Sequence, residues 1–307
     1  MPSDRRGFLR ELAGAAREVR GVGGAGRDAF AEARDALLRG EVPEEAVAER
    51  DPDRLADAEL ERYSRQLGLP EWSERAQLAL RTASVLIVGA GALGSPAALY
   101  LAAAGIGRLG IVDDDAVGLP DLQGEPLHFS PDVGVAKVHS AAAKLGYLNP
   151  EVEVVPYQVR VEASNAAGLL EGHDLVVDGS DVSATRYAVN AAACAAGVPL
   201  VEGGVLGTSG FVMAVRPGET ACYRCAFGAP PPAGAAPTRA PAGGLGPAAG
   251  VIGSLLALEA LKLLTGFAAP LTGAYLRVEL ASLECSRVPV ERRPDCPDCG
   301  SEVASDH

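Results

Sequence analysis

A glycine-rich turn between a strand and a helix constrains the fold of this chain more than any other sequence feature. The apolar run Val85–Val88 leads directly into GAGALG at residues 89–94, and a helical pattern begins at Ser95. The glycines of G-x-G-x-x-G allow a tight turn and let backbone N–H groups approach phosphate at the helix N-terminus. Asp113 closes the next strand, where an acid can bind ribose hydroxyls. The motif predicts a nucleotide site rather than a plain glycine turn, and it fits either NAD or ATP.

From Asp57 onward the chain alternates short apolar runs with alanine-rich helical stretches. This alternation predicts an α/β fold with a Rossmann-like, doubly wound and mostly parallel sheet. Two later runs, Phe211–Val215 and Tyr275–Leu280, are predicted to pair antiparallel at one edge. Between them, Gly228–Gly250 has twelve Pro or Gly in 23 residues and is predicted to be a long loop. The predicted parallel strands are Ser84–Val88, Leu109–Val112, Val152–Val155, Leu175–Val177 and Leu200–Val201, and the predicted helices include Ser95–Ala104, Lys137–Leu145 and Ser183–Ala193.

Charge and composition narrow the classes of partner. Lys and Arg number 27 against 40 Asp and Glu, a formal net charge of -13, which disfavours binding to nucleic acid or anionic lipid. No uninterrupted apolar run reaches the roughly 18–20 residues of a membrane span, so no membrane partner is expected. Residues 1–56 are rich in arginine and acids and are predicted to form a helical extension before a main domain at 57–307. The segment Ser3–Arg10 resembles a twin-arginine signal, but charged residues follow it, which favours a cytoplasmic location.

Four of the six cysteines form two Cys-x-x-Cys pairs, Cys222 with Cys225 and Cys296 with Cys299. Two such pairs are typical of a closed, tetrahedral zinc–thiolate site with a structural role. The metal would tie the C-terminal tail back to an earlier loop. The alternative is a set of reduced thiols without metal, and either interpretation indicates a reducing compartment rather than disulfide bonds.

Six motifs together carry a family resemblance. GAGALG, VDDDAV, VGVAKV, DGSD, CYRC and CPDC follow one another in the order and spacing of the ThiF/MoeB/HesA adenylyltransferases. The chain resembles these bacterial relatives of the ubiquitin-activating enzymes over about residues 57–300, and its pattern is most similar to that of molybdopterin-synthase adenylyltransferase. The resemblance implies ATP-dependent adenylation of the C-terminal glycine of a ubiquitin-like sulfur-carrier protein ending in Gly-Gly, with release of pyrophosphate. It also implies Mg²⁺, zinc in the cysteine knuckles, and a homodimer.

The resemblance assigns roles to individual residues. Lys137 would neutralise charge at the α-phosphate, Asp181 would hold Mg²⁺, and Arg65 would reach the γ-phosphate in the partner subunit. Such roles suit nucleotidyl transfer, which depends mainly on positioning and charge neutralisation. Two alternatives remain open, a solvated lysine at a helix start for Lys137 and a helix N-cap for Asp181. The nucleotide-binding positions implied are Gly89, Gly91, Gly94, Asp113, Asp115 and Gln123.

The sequence departs from the family pattern at three places. Where the family reads Asn-x-x-Arg-Gln, this chain has Asp121–Glu125, so that Gly124 replaces the arginine that grips the triphosphate. Val182 replaces the asparagine after the Mg²⁺-binding acid. Thr238 and Arg239 stand where many relatives have Thr-Cys, so adenylation would proceed without a thioester-forming cysteine.

These departures leave two main hypotheses, an active adenylyltransferase and a catalytically degraded scaffold that binds nucleotide or carrier. An NAD-dependent oxidoreductase is disfavoured because hydride transfer needs neither the paired cysteine knuckles nor the charges of Lys137 and Asp181. If the activity is retained, another arginine could replace the missing one, and the candidates are Arg62, Arg108 and Arg239.

Overall fold

The computed structural model describes residue 51 and residues 53–230 and 244–300. These residues belong to one compact unit, Ala48–His307. The described helices are α1 Asp57–Arg62, α2 Ser64–Leu67, α3 Glu74–Thr82, α4 Gly94–Ala104, α5 Lys137–Leu148, α6 Ala166–Leu170, α7 Ser183–Ala196, α8 Tyr223–Phe227 and α9 Gly246–Thr265. The described strands are β1 Ser84–Val88, β2 Arg108–Val112, β3 Glu153–Tyr157, β4 Leu175–Asp178, β5 Leu200–Leu206, β6 Ser209–Val215, β7 Ala274–Glu279 and β8 Glu284–Pro289.

The strands form one sheet in the order β3-β2-β1-β4-β5-β6-β7-β8. The first five strands are parallel and the last three are antiparallel to their neighbours. From β1 the chain runs outward through β2 and β3, and it then crosses back to β4 on the other side of β1. In an open α/β sheet this switch point creates a crevice at the carboxyl ends of the strands, where ligands bind.

Helices cover both faces of the sheet, as a parallel sheet requires. One face packs against α3, α4, α5 and α9, with Leu80, Leu101 and Leu145 among its fully buried side chains. The other face packs against α6, α7 and the cysteine-bearing segments around α8. Every residue of β1 and β4 is buried, which explains the continuous apolar runs Val85–Val88 and Leu175–Val177 within them.

The structure confirms the predicted fold class, and strand ends differ from prediction by only a few residues. Strands β6 and β7 pair antiparallel as predicted, and β8 adds an unpredicted edge strand beyond them. The predicted loop Gly228–Gly250 was wrong at its end, because α9 begins at Gly246 with a proline in its first turn. Residues 231–243 and most of the predicted extension 1–56 lie outside the described residues.

Helix α9 is long and apolar enough to cross a membrane by length and composition alone. Its packing supplies another reason for this composition. Ile252, Leu256 and Ala260 are fully or almost fully buried against the sheet and α4. A helix that is buried along one side in a domain core has the same apolar character.

Candidate functional site

The glycine loop lies at the switch point, at the carboxyl ends of β1 and β4. Gly89 has a positive φ of 90°, and its N–H donates to the carbonyl of Val112 at 2.8 Å. A Cβ at Gly94 would lie 1.7 Å from the Gly89 carbonyl oxygen, so no other residue fits there without moving the loop. The chain therefore turns sharply into α4, and the Ser95 N–H closes this turn by donating to the Gly91 carbonyl at 2.8 Å.

Asp113 holds the loop from the neighbouring strand. Its Oδ2 accepts the Ala90 N–H and its Oδ1 accepts the Asp115 N–H, both at 2.8 Å. Burial raises the pKa of Asp113, although these two N–H groups act in the opposite direction. The Asp115 carbonyl accepts the Lys137 N–H at 2.9 Å, which fixes the start of α5 beside the same strand end. Asp113 thus contacts the glycine loop directly, and Asp115 connects it to the start of α5.

Lys137 is buried in the first turn of α5, so its interpretation as a solvated helix-start lysine was wrong. Its Nζ lies 2.8 Å from Glu125 Oε1 and 3.4 Å from Asp121 Oδ2. Burial lowers the pKa of Lys137, but the carboxyl groups of Glu125, Asp113 and Asp121 outweigh it, and the net pKa lies above the ordinary value. Lys137 is therefore a permanent cation in a mainly acidic cluster.

Glu125 is a site residue whose role sequence reasoning missed. Its side chain reaches the glycine loop, because a Cβ at Gly91 would lie 3.3 Å from Glu125 Oε1. Burial raises the pKa of Glu125 to about 7, although its hydrogen bond from Lys137 acts in the opposite direction. Its second oxygen, Oε2, has no hydrogen-bond partner among the described residues and lies 3.7 Å from His128 Nε2.

His128 contacts the glycine loop through the Ala90 carbonyl. Its Nε2 lies 2.9 Å from the Ala90 carbonyl oxygen, which can only accept, so Nε2 carries the proton. The Nδ1 then accepts from the Ser140 hydroxyl at 2.8 Å, and that hydroxyl accepts from Lys144 Nζ at 2.8 Å. Burial lowers the pKa of His128, which agrees with this neutral tautomer.

Gln123 joins the loop before Glu125 to the start of α9. Its Oε1 accepts the Gly246 N–H at 3.1 Å, and its Nε2 lies 3.3 Å from the Gly244 carbonyl oxygen. Next to this joint is a pocket of about 120 Å³ with an uncharged lining. Its lining includes Ala92, Gly124, Val205, Leu206, Leu245 and Gly246.

The two remaining predicted catalytic residues are exposed. Asp181 follows β4, and its side chain makes no hydrogen bond or ion pair with the described residues. It is not the N-cap of α7, because Val182 occupies that position without a side-chain capping bond. Arg65 is exposed on α2 and has no such bond either within the part of the chain that is described. Asp181 thus lies at the site, whereas the structure of one chain does not bring Arg65 to it.

Two of the proposed substitute arginines lie elsewhere. Arg62 Nη1 donates to the carbonyl of Leu148 at 3.2 Å, at the far end of α5 from Lys137. Eleven residues of helix separate these ends by about 16 Å. Arg108 pairs with Glu153 at 3.7 Å at the amino end of β2, opposite the crevice. The third candidate, Arg239, lies outside the described residues.

A buried ionic cluster supports the segment that carries Asp181. Asp178 and Glu202 face each other across β4 and β5, and both are fully buried. Arg186 Nη1 lies 2.5 Å from Glu202 Oε1, and the guanidinium also donates to the carbonyls of Ser180 and Gly203. Burial raises the pKa of both carboxyl groups, against the effect of Arg186. The one guanidinium therefore ties the strand ends to the loop.

The four knuckle cysteines converge although 70 residues separate the pairs. The Sγ atoms of Cys222 and Cys296 are 3.7 Å apart, those of Cys225 and Cys299 are 3.5 Å apart, and all four lie within 4.8 Å of one another. Four thiolates bound tetrahedrally at about 2.3 Å from zinc would have their sulfurs about 3.8 Å apart. The donor set and its spacing fit zinc.

Polar contacts around the cysteine cluster orient the two knuckles. Asp298 Oδ2 accepts from Arg224 Nε and from Asn190 Nδ2, both at 2.7 Å. The Oδ1 of Asn190 accepts the Tyr223 N–H at 2.9 Å, so α7 contacts both knuckles. The C-terminal segment thus contacts α7 and the first cysteine pair, next to the loop to which the predicted metal would tie it.

Comparisons with known proteins decide the family. A sequence model described as the ThiF family matches residues 63–298. The chain belongs to the ThiF family. It is 44% identical over 254 residues to the sulfur carrier protein adenylyltransferase of Thermus thermophilus, an alignment covering 81% of this chain and 94% of that protein. It is 41% identical over 246 residues to the SAMP-activating enzyme E1 of Haloferax volcanii, covering 80% and 91% of the two chains.

Two further comparisons show shared parts. The chain is 46% identical over 247 residues to the adenylyltransferase and sulfurtransferase MOCS3 of Sus scrofa, covering 80% of this chain and 54% of MOCS3. It therefore corresponds to about half of that longer protein. A crystal structure of E. coli MccB has a TM-score of 0.71 at 22% identity, covering 78% of this chain and 74% of MccB, which shows a common fold.

Proposed function

We propose that this protein adenylates the C-terminal glycine of a ubiquitin-like sulfur-carrier protein in the cytoplasm. The observation that carries the proposal is a buried lysine, Lys137, beside a G-x-G-x-x-G loop at the switch point of the sheet. The similarity to a sulfur carrier protein adenylyltransferase over 94% of its length supports the same activity. The adenylation domain is residues 57–307, and residues 1–56 are an extension to it.

The reaction requires like charges to approach each other. A carboxylate oxygen of the carrier forms a bond to the α-phosphorus of ATP, and the bond to the bridging oxygen breaks to release pyrophosphate. Lys137 offsets the charge at the α-phosphate, and the N–H groups of residues 91–94 bind phosphate oxygens, since those of Gly89 and Ala90 donate to Val112 and Asp113. Asp113 and Asp115 bind the ribose side of the nucleotide. Asp181 has a free carboxylate that would hold Mg²⁺, which supplies further positive charge to the phosphates.

The uncharged pocket beside Gly124 suits the end of the carrier. Glycine and alanine line much of it, so a narrow tail without side chains, such as Gly-Gly, enters without steric conflict. Gln123 borders both this pocket and the triphosphate side of the loop. The cysteine cluster would hold zinc in a structural role, at a distance from the reacting groups. No thioester-forming cysteine is needed for adenylation alone.

A homodimer would complete the site. Arg65 is exposed and makes no hydrogen bond or ion pair within the described chain, so it is available to a partner subunit's triphosphate. Tyr100 on α4 and Val251 and Leu258 on α9 expose 54%, 41% and 39% of their surface. Helices α4 and α9 pack together, and Val251 and Leu258 share one face of α9 at a spacing of seven residues. A two-fold dimer would cover this apolar surface.

The alternative function is a scaffold that binds nucleotide or carrier without turnover. Gly124 favours it, since removing a phosphate-binding arginine can cost roughly 10³-fold in such chemistry. ATP–pyrophosphate exchange with carriers ending in Gly-Gly distinguishes the two. We expect exchange in the parent protein, and loss of it in Lys137→Ala and in Asp181→Ala with the fold retained.

Lys262→Ala is the matched control, because Lys262 pairs with Glu259 on α9 and lies outside the site. It should keep the parent rate. Parent rates in both alanine variants at the site would refute the catalytic assignments. Nucleotide binding without exchange, with any Gly-Gly carrier, would support the scaffold.

A further inference from the structure

Glu125 occupies a place where the proposed nucleotide must put negative charge. Its Oε1 would lie 3.3 Å from a Cβ at Gly91, one of the glycines that leave room for phosphate. Only 7% of Glu125 is exposed, so water cannot solvate a charge there freely. A carboxylate and a phosphate oxygen would therefore face each other across a glycine loop in a mostly dehydrated site.

The charges that face Glu125 do not offset this repulsion. Lys137 is the cation in contact with it, whereas Asp121 and Asp113 add two further acids. His128 lies 3.7 Å from Glu125 Oε2, but its neutral tautomer donates its single ring N–H to the Ala90 carbonyl. Three carboxyl groups thus share one lysine before any phosphate arrives, and Gly124 contributes no cation.

We propose that Glu125 binds the nucleotide as the neutral acid, so that nucleotide binding takes up one proton from solvent. This inference rests on the proposed function of the site. Oε1 accepts a hydrogen bond from Lys137, whereas Oε2 has no hydrogen-bond partner among the described residues. The proton therefore resides on Oε2, and the carboxyl group then presents Oε1 to Gly91 without a negative charge. A protonated glutamate has the donor and acceptor pattern of glutamine, the residue that the family pattern carries at this position.

Because nucleotide binding is coupled to protonation of Glu125, the affinity for the nucleotide should depend on pH. In the free protein the pKa of Glu125 is raised by burial to about 7, and a neighbouring phosphate raises it further. About 0.9 proton per site should therefore be taken up at pH 8, and less below pH 6. The association constant should fall almost tenfold per pH unit above about pH 8. His128, with its lowered pKa, and Lys137, with its raised pKa, keep their protonation states over this range.

The test is titration calorimetry of the full chain with α,β-methylene-ATP at saturating Mg²⁺. At pH 8 the measurement is repeated in buffers of different ionisation enthalpy, which gives the number of protons exchanged. Glu125→Gln should bind without proton uptake, with an affinity that is constant from pH 6.5 to 8.5 and exceeds that of the parent protein at pH 8.5. Glu171→Gln, at an exposed position, is the matched control and should behave as the parent.

Each outcome decides a different point. Binding by the parent without proton uptake, or equal uptake by Glu125→Gln, would overturn this inference and leave the proposed function standing. Failure of the analogue to bind to either protein at any pH would overturn the proposed nucleotide site and this inference with it. Thermal unfolding of both variants establishes that each is folded before the comparison is made.

Discussion

Removing Arg186 should destabilise the fold more than any exposed charge substitution. The guanidinium pairs with Glu202 at 2.5 Å and donates to two backbone carbonyls, those of Ser180 and Gly203. Asp178 and Glu202 are fully buried, and Arg186 is the one cation beside them within the described part of the chain. Arg186→Leu keeps an apolar side chain of moderate size and removes every one of these interactions.

The loss of unfolding free energy in Arg186→Leu arises because Asp178 and Glu202 stay buried without their cation. Breaking a buried ion pair by removing one member costs about 3–5 kcal/mol. For a domain of this size that loss lowers the unfolding temperature by about 6–20 °C. Burial holds the folded-state pKa of Asp178 and Glu202 above their unfolded values, and removing Arg186 raises both further. The stability that protonation provides is complete at low pH and is lost as pH rises, so Arg186→Leu should cost more at pH 8 than at pH 5.5.

Denaturant unfolding of the parent and the variant at both pH values measures these costs. Arg186→Leu combined with Glu202→Leu should recover part of the loss, because no buried charge then faces Asp178 from β5. Arg160→Leu, which breaks an exposed pair with Asp114, should leave the unfolding midpoint unchanged. A cost below about 1 kcal/mol for Arg186→Leu at pH 8 would contradict the ionic role assigned to the cluster.

Three further predictions concern other parts of the molecule. Elemental analysis of protein purified without chelator should give one zinc per chain, and Cys296→Ser should lower both the zinc content and the unfolding temperature; absence of zinc in the parent would refute the metal site. Gly94→Ala should abolish nucleotide binding or folding, since its Cβ would lie 1.7 Å from a carbonyl oxygen, whereas Gly146→Ala on α5, where a Cβ meets nothing within 4 Å, should be tolerated. Gly124→Arg should tighten binding of Mg-ATP severalfold by adding a cation, and unchanged affinity would show that Asp121 or Glu125 captures the new side chain.

The features that could be predicted from sequence are those recorded in local pattern. Strands β1 and β4 are buried on both faces, so each contains a continuous apolar run, Val85–Val88 and Leu175–Val177. By contrast, β8 is exposed along most of its length, and its pairing with β7 rather than an apolar pattern defines it. The start of α9 was missed because glycine and proline, which normally indicate a loop, occupy its first turn.

The candidate site likewise has some features that local sequence patterns reveal and others that depend on tertiary packing. The glycine loop and the cysteine pairs have fixed spacings, which the sequence shows directly. The contact between Glu125 and Gly91 depends on how two separate loops pack, and no local spacing records it. Arg186 likewise resembles any arginine on a helix until β4 and β5 place two acids beside it.

The first departure from the family pattern, over Asp121, Gly124 and Glu125, has one physical consequence, because all three positions act on the charge around Lys137. An arginine at position 124 would supply a second cation to the phosphates, leaving the lysine free for the α-phosphate. Without it, Lys137 is held by two carboxyl groups of its own chain. Phosphate can then compete for the lysine only if one of these groups becomes neutral. Glu125, buried and with its pKa near 7, is the group that can do so at physiological pH. The loss of the arginine therefore couples nucleotide binding to pH, and it does not by itself remove the cation that the reaction needs.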